Sequence, residues 1–234
     1  MMRGGGYRLQ QRIVVAAGQR GVGASTLAAL LGGAFAGEGR RVLLVDSAAD
    51  RGLSGILRLP GGAAGPAAVG EGIALVAGEQ PEEPAGCEVV VTDAGWEWER
   101  ISLACSAGAE RLLAVAAPDR AALAAAYALV KAVGIAFPEV TVEVVLNRHR
   151  EGTRSGDDEL RQALERFLGR RIRRPWLVPE DACLEAGTQG GMLLADAVGG
   201  SEVAAATLDM AVRMLDSESG PSLAPARHIT RSVG

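Results

Sequence analysis

The sequence predicts an α/β protein: one domain with a doubly wound, mainly parallel sheet and helices on both faces. Two observations carry that expectation. Short β-branched runs alternate with Ala/Leu-rich helical stretches along most of the 234 residues, and such alternation folds as parallel strands joined by crossover helices. The composition is 48% hydrophobic and 22% charged but only 3% aromatic, so the core must be built from Ala, Val, Leu and Ile, which suits helices packed closely on a sheet.

The elements follow in order. Residues 1–11 read as a flexible leader. RIVVAA (12–17) is a short apolar run ending at a glycine, as a buried strand does. STLAALLGGAFAGEG (25–39) reads as a helix stopped by Gly37 and Gly39, and RVLLVD (41–46) as a second strand ending on an acid. LPGGAAGPAAVGEG (59–72) is rich in Gly and Pro and is assigned as loop. IALVAG (73–78) and CEVVVTDAG (87–95) read as strands around the acidic loop EQPEEPAG. A helix near 98–107, a strand at 111–117, a helix from about 119 to 133 and a strand at 140–148 come next. GDDELRQALERFLG (156–169) has an apolar face and charges that suit the helix dipole. A last strand falls within 170–181, followed by helices near 181–188 and 201–215. The domain therefore spans 12–215, and the polar segment 216–234 is expected to be disordered.

Bulk properties exclude some functions. The net charge of −4 argues against nonspecific nucleic-acid binding, which needs a basic surface, so no nucleic-acid partner is expected. Cys87, Cys105 and Cys183 are scattered with no metal-ligand spacing and read as buried small apolar side chains in a reducing cytoplasm. No apolar run reaches the ~18 residues of a membrane span. The tail lacks the apolar periodicity of a membrane-binding helix, so no direct membrane anchor is expected.

Ligands of such sheets bind at the carboxyl ends of the strands. That directs attention to residues 18–26, 46–50, 93–95, 118–119, 147–148 and 179–181. The first stretch, AAGQRGVGAST (16–26), has the outline of a phosphate-binding loop. Glycines let successive N–H groups converge on an anion, and the electropositive end of a helix follows. Gly21, Val22, Gly23 and Ala24 form the turn, with Ser25 placed to ligate Mg²⁺ and Thr26 to meet the α-phosphate. Asp93, at a strand end, is placed to hold the magnesium water shell. A tight strand–helix connection with no ligand is the alternative.

These pieces, in this order, resemble the MinD/ParA group of deviant Walker-A ATPases, of P-loop fold, over residues 12–215. The loop Gln19-Arg20-Gly21-Val22-Gly23-Ala24-Ser25, the strand before Asp46 and EVVVTDAG carry the likeness. VAAPDRAALAAAYALVKAV resembles the matching segment of flagellar-number regulators of the FlhG type, and VVLNR and VPEDACLEAGTQGGMLLAD resemble the adenine-side strand and loop. The resemblance implies ATP or ADP with Mg²⁺ as ligand. It implies Asn147 and Arg148, with Pro179, Glu180 and Asp181, around the adenine. It implies Ser25 and Asp93 at Mg²⁺, and Asp46 behind the γ-phosphate as a metal-shell or water-orienting acid. Asn147 read as a strand-end cap, and Asp46 as a helix or turn cap, are the alternatives.

Three departures stand against full activity. Gln19 and Ala24 occupy the positions of the family's signature and Walker lysines, and Ala48 that of a second acid tied to activating water. Phosphoryl transfer depends on such charged clamps. Lys131 is the only lysine in the chain. A Lys-to-Arg drift does not explain Gln and Ala at these positions.

The resemblance thus implies a spatial regulator with a degenerate ATP site and little or no hydrolysis. It would act on protein partners of a flagellar system, in the cytoplasm or recruited to a cell pole. Two other readings stay open. One is a pilus-localisation protein of the TadZ/CpaE type, whose relatives tolerate a loop ending G-A-S. The other is a working ATPase that uses Arg20 and forms a homodimer with ATP. The tryptophans of GWEWER (95–100) suit either a protein interface or the core, and the basic run GRRIRRPW (169–176) either a partner contact or a solvated strand edge.

Overall fold

The computed structural model describes residues 10–59, 65–78, 86–150, 175–182, 184 and 200–217. The strands are β1 (Gln11–Ala17), β2 (Val42–Asp46), β3 (Ala67–Gly70), β4 (Ile73–Ala77), β5 (Val89–Gly95), β6 (Arg111–Ala116), β7 (Thr141–His149) and β8 (Trp176–Pro179). The helices are α1 (Ala24–Gly37), α2 (Gly52–Ile56), α3 (Trp98–Ser106), α4 (Arg120–Ala136) and α5 (Glu202–Ser217). One eight-stranded sheet runs in the order β3-β4-β2-β5-β1-β6-β7-β8. Every neighbouring pair is parallel except β3–β4.

β1 lies inside the sheet, and its alternating side chains serve two cores. Ile13, Val15 and Ala17 join the apolar layer under α1 and α5, with Leu31, Phe35, Met210 and Met214. Val14 and Ala16 join the opposite layer under α3 and α4, with Ile101, Leu112, Val130 and Val133. Small residues let the helices sit close, as the composition implied. A Cβ on Gly32 of α1 would lie 2.7 Å from a methyl of Leu44. α4 starts on an Asp119 side chain that accepts the Ala122 N–H at 2.9 Å, a regular N-cap.

The edge opposite the strand carboxyl ends is tied by a buried polar network. Glu143 of β7 is 3% exposed. Its carboxylate accepts from Arg111 of β6 and from the Trp176 indole N–H of β8. Arg111 donates on to Ser217 at the end of α5, 3.1 Å away. From β1, the Gln11 amide reaches the Met214 carbonyl at 3.3 Å. α5 is therefore fixed to the sheet by polar links as well as by Val203, Met210 and Met214.

Some expectations need correction. The stretch 59–72 is not all loop. Residues 67–70 pair antiparallel with β4 through a tight turn at Gly72, where φ is +70°. Its Gly and Ala content hides the strand, which is held by backbone pairing at the sheet edge and not by side-chain pattern. The short helix α2 was not anticipated. Cys105 is buried, and burial raises its thiol pKa to about 11, but Cys87 is only half-buried. The predicted helices at 156–169 and 181–188, most of the basic run, Cys183 and the tail from 218 fall outside the described residues, apart from 181, 182 and 184. No helix among the described residues is long and apolar enough to cross a membrane.

Glu143→Ala strands a buried guanidinium and an indole N–H together, so it lowers stability by about 3 kcal/mol. Urea unfolding followed by far-ultraviolet circular dichroism measures the loss. A midpoint equal to that of wild type would show that the network contributes nothing.

Candidate functional site

β1 ends at Ala17, and residues 18–23 turn across the carboxyl edge of the sheet before α1 begins. Gly21 and Gly23 have φ of +79° and +95°, values that side chains resist. Gly23 is the N-cap of α1, and no side chain caps the helix. The first amides of α1 therefore have no side-chain acceptor, the usual state of an anion-binding helix start.

The loop is held from three sides. The Asn147 amide, at the end of β7, donates to the Val22 carbonyl at 2.8 Å. A Cβ on Gly18 would lie 2.3 Å from the backbone of Ala125, so the loop rests directly on α4. Gly52, at the start of α2, lies against Ser25, whose hydroxyl would be 2.6 Å from a Cβ there. None of these contacts needs a lysine.

Below the loop two carboxylates stand side by side. Asp46 and Asp93 are register partners on β2 and β5, and both are 0% exposed. Asp46 Oδ2 accepts the Ser54 N–H at 2.7 Å, and Asp93 Oδ1 accepts the Gly95 N–H at 3.1 Å. Among the described residues, Asp46 Oδ1 and Asp93 Oδ2 have no hydrogen-bond partner. Burial is the main cause that raises the Asp93 pKa to about 6. Asp46 and Asp50 raise it further, while the Ser25 side chain and the Gly95 N–H hold it down. Ser25 thus faces the carboxyl, yet Oδ2 remains without a hydrogen bond.

This set fits Mg²⁺. The free atoms are hard oxygens on two carboxylates beside a serine hydroxyl, and magnesium uses one or two carboxylates plus phosphate oxygens. No group of three or more His, Cys, Asp or Glu among the described residues could hold a metal by itself. Phosphate oxygens would have to complete the shell.

The rim carries further groups. Ala48 is buried at 1% and offers no acid. Glu97 lies close by: one of its oxygens and the Ala48 methyl are 3.2 and 3.0 Å from the same point beside Gly95. That Glu97 oxygen has no hydrogen-bond partner. Arg20 lies 3.8 Å from Asp50 and 5.3 Å above the Trp96 ring centre. Trp96 and Trp98 are 39% and 41% exposed, and Trp98 also packs on Phe137.

On the other side of the loop are the residues expected around a base. Arg148 has a left-handed φ of +58°. β7 pairs with β8 through His149 and Pro179, and the Glu180 N–H donates to the His149 carbonyl at 3.0 Å. Glu180 is ion-paired with Arg150, which together with Arg148 lowers its pKa. Asp181 accepts the Leu184 N–H at 3.0 Å. The cap alternative for Asp46 finds support in local geometry, whereas Asn147 bonds the loop at Val22 in place of capping its own strand. Asp46 does hold the start of α2 through Ser54, and Asn147 does anchor a loop. The contacts of Asn147 with Val22 and of Gly18 with Ala125 were missed, because they join residues more than a hundred positions apart.

A family profile described as the CobQ/CobB/MinD/ParA nucleotide binding domain matches residues 13–194. Among solved structures, a MinD cell division protein from Aquifex aeolicus is 20% identical, with a TM-score of 0.69 over 88% of this chain and 97% of its own. The septum site-determining protein MinD of Pyrococcus horikoshii, complexed with Mg-ADP, is 16% identical, with a TM-score of 0.71 over 91% and 98%. A ParA family ATPase from Chlorobium tepidum is 18% identical, with a TM-score of 0.67 over 87% and 99%. At these identities the structural likeness establishes the fold. No curated protein sequence matches the chain.

Two outcomes follow from the site geometry. Gly18→Ala must push α4 aside and costs about 2–3 kcal/mol, whereas Gly21→Ala meets open space and pays only backbone strain of about 1 kcal/mol. Chemical denaturation of the two variants gives the order, and equal losses would contradict the packing at Ala125. The folded pKa of Asp93 lies above its unfolded value, so its protonated form stabilises the fold. That contribution is complete below about pH 4 and is lost as pH rises through about 6. Between pH 4 and 7 the stability of Asp93→Asn relative to wild type should rise by up to about 3 kcal/mol. A flat difference would show that Asp93 is not desolvated.

Proposed function

The chain belongs to the CobQ/CobB/MinD/ParA nucleotide-binding domain family, and on that premise we propose that it is a spatial regulator of the MinD/FlhG type. It positions or counts a polar machine such as a flagellum through protein–protein contacts. Its site binds ATP or ADP with Mg²⁺ weakly, and hydrolysis is slow or lost.

The observation that carries this reading is a phosphate loop with its shape kept and its charged clamps replaced. Gly21 and Gly23 hold left-handed turns, α1 has no side-chain cap, and Asp46 and Asp93 keep unpartnered buried oxygens. At the loop stand Gln19 and Ala24, and beyond Asp46 stands Ala48. The backbone of residues 21–26 would cradle phosphate, Ser25 and Asp93 would hold Mg²⁺, and Asp46 would face the terminal phosphate. Asn147, Arg148, Pro179, Glu180 and Asp181 would flank the adenine. Magnesium, when bound, neutralises phosphate charge. Positioning survives in this chain, while the groups that stabilise developing charge and orient water do not. A protein that recognises partners by the state of its loop needs only the first.

Exposed Trp96 and Trp98, directly after β5, supply the kind of surface a protein partner takes. Recruitment to a pole would come through that partner, with the protein itself in the cytoplasm. The loop ending Gly23-Ala24-Ser25 favours, as a second reading, a pilus system of the TadZ/CpaE type in place of a flagellar one. The neighbouring genes, flagellar or pilus, separate the two.

Calorimetric titration of ATP and ADP into wild type and Ala24→Lys tests the site. The restored ammonium should tighten ATP by about tenfold or more, because a charged hydrogen bond to phosphate contributes about 1.5–3 kcal/mol. Wild-type turnover should stay far below that of relatives with both lysines. Wild-type turnover equal to theirs, and abolished by Asp46→Ala, would overturn the reading.

A further inference from the structure

The phosphate loop carries one cation of its own, Arg20, between Gly18 and Gly21. Its side chain is 63% exposed and lies across the rim. One nitrogen is 3.8 Å from Asp50, and the guanidinium carbon is 5.3 Å above the centre of the Trp96 ring. Asp50 follows β2 and Trp96 follows β5. A single guanidinium thus links the segments leaving β1, β2 and β5, the strands whose ends also carry the loop, Asp46 and Asp93.

Neither hold on Arg20 is strong. The ion pair is too long for a hydrogen bond and open to solvent and salt, which leaves such pairs with little net stabilisation. Stacking on an exposed indole is similarly modest. A phosphate group offers the planar guanidinium two oxygens at once and more charge than one carboxylate. Two other cations of the described residues are placed less well. Arg51 donates to the Asp46 carbonyl, and Lys131 lies well along α4.

We propose that Arg20 is the cation this loop presents to a nucleoside polyphosphate, and that binding draws it off Asp50 and Trp96. Occupancy of the loop is then felt directly by the exposed segment at residues 96–98. This rests on the nucleotide-binding reading above. It gives a site with no lysine at position 24 a phosphate contact, and it gives a protein partner something that differs between the empty and filled states.

The test uses the full chain and two probes, Mg²⁺-ATP and inorganic tripolyphosphate, followed by calorimetry and indole fluorescence. Wild type should bind both, with an emission change that Trp96→Phe removes. Arg20→Ala should weaken both by about tenfold or more and abolish the emission change, while Arg20→Lys recovers part of the affinity. Asp50→Asn should tighten both several-fold, because it removes the competitor for Arg20, an effect that a merely structural role would not produce. Unaltered affinity in Arg20→Ala would overturn the proposal and leave the nucleotide reading standing. Weaker binding in Asp50→Asn would likewise overturn it. No binding of either probe by wild type at millimolar concentration would overturn both.

Discussion

Two carboxylates buried next to each other, Asp46 and Asp93, set the terms for the carboxyl edge of the sheet. They are partners in register on β2 and β5, both at 0% exposure, and each has one oxygen without a hydrogen bond. Burial is the main cause that raises the Asp93 pKa to about 6, and the neighbouring Asp46 carboxylate adds to it. A fold that served only stability would satisfy or remove these atoms. Their persistence beneath a glycine-rich loop at a helix start is what the proposed nucleotide site would require.

The loop above them shows how shape and charge can part company. Its path depends on the Asn147 amide on Val22, on Gly18 against the backbone of Ala125, and on Gly52 against Ser25. One is a side-chain hydrogen bond and two are packing contacts, all from neighbouring elements. The turn needs no lysine at position 24, because none of these contacts involves one.

Stability is organised elsewhere. At the opposite edge of the sheet, Glu143 collects Arg111 and Trp176, and Arg111 reaches Ser217 on α5. The apolar faces of β1 feed two separate cores. The strand ends that carry the site are thus free to hold unsatisfied and exposed groups, such as the Glu97 oxygen beside Ala48 and the Arg20–Trp96 stack.

Local pattern in the sequence was enough for the strand–helix alternation, for the boundaries of most elements to within a few residues, and for the glycine turn between β1 and α1. The reason is that periodicity, glycine turns and strand-ending acids are properties of neighbouring residues. It failed where pairing came from afar. β3, a Gly- and Ala-rich stretch with no strand pattern, exists because β4 offers its edge. α2, with two glycines in five residues, begins where Asp46 accepts the Ser54 N–H. Asn147 was legible as a strand-end amide, but its bond to Val22 spans 125 positions. The sequence by itself determined the fold class and put Gln19, Ala24 and Ala48 at positions where the resemblance implies charged groups. Only the tertiary structure decided what supports the loop, which carboxylates meet beneath it and where Arg20 rests, because each depends on strand order and register that no local propensity encodes.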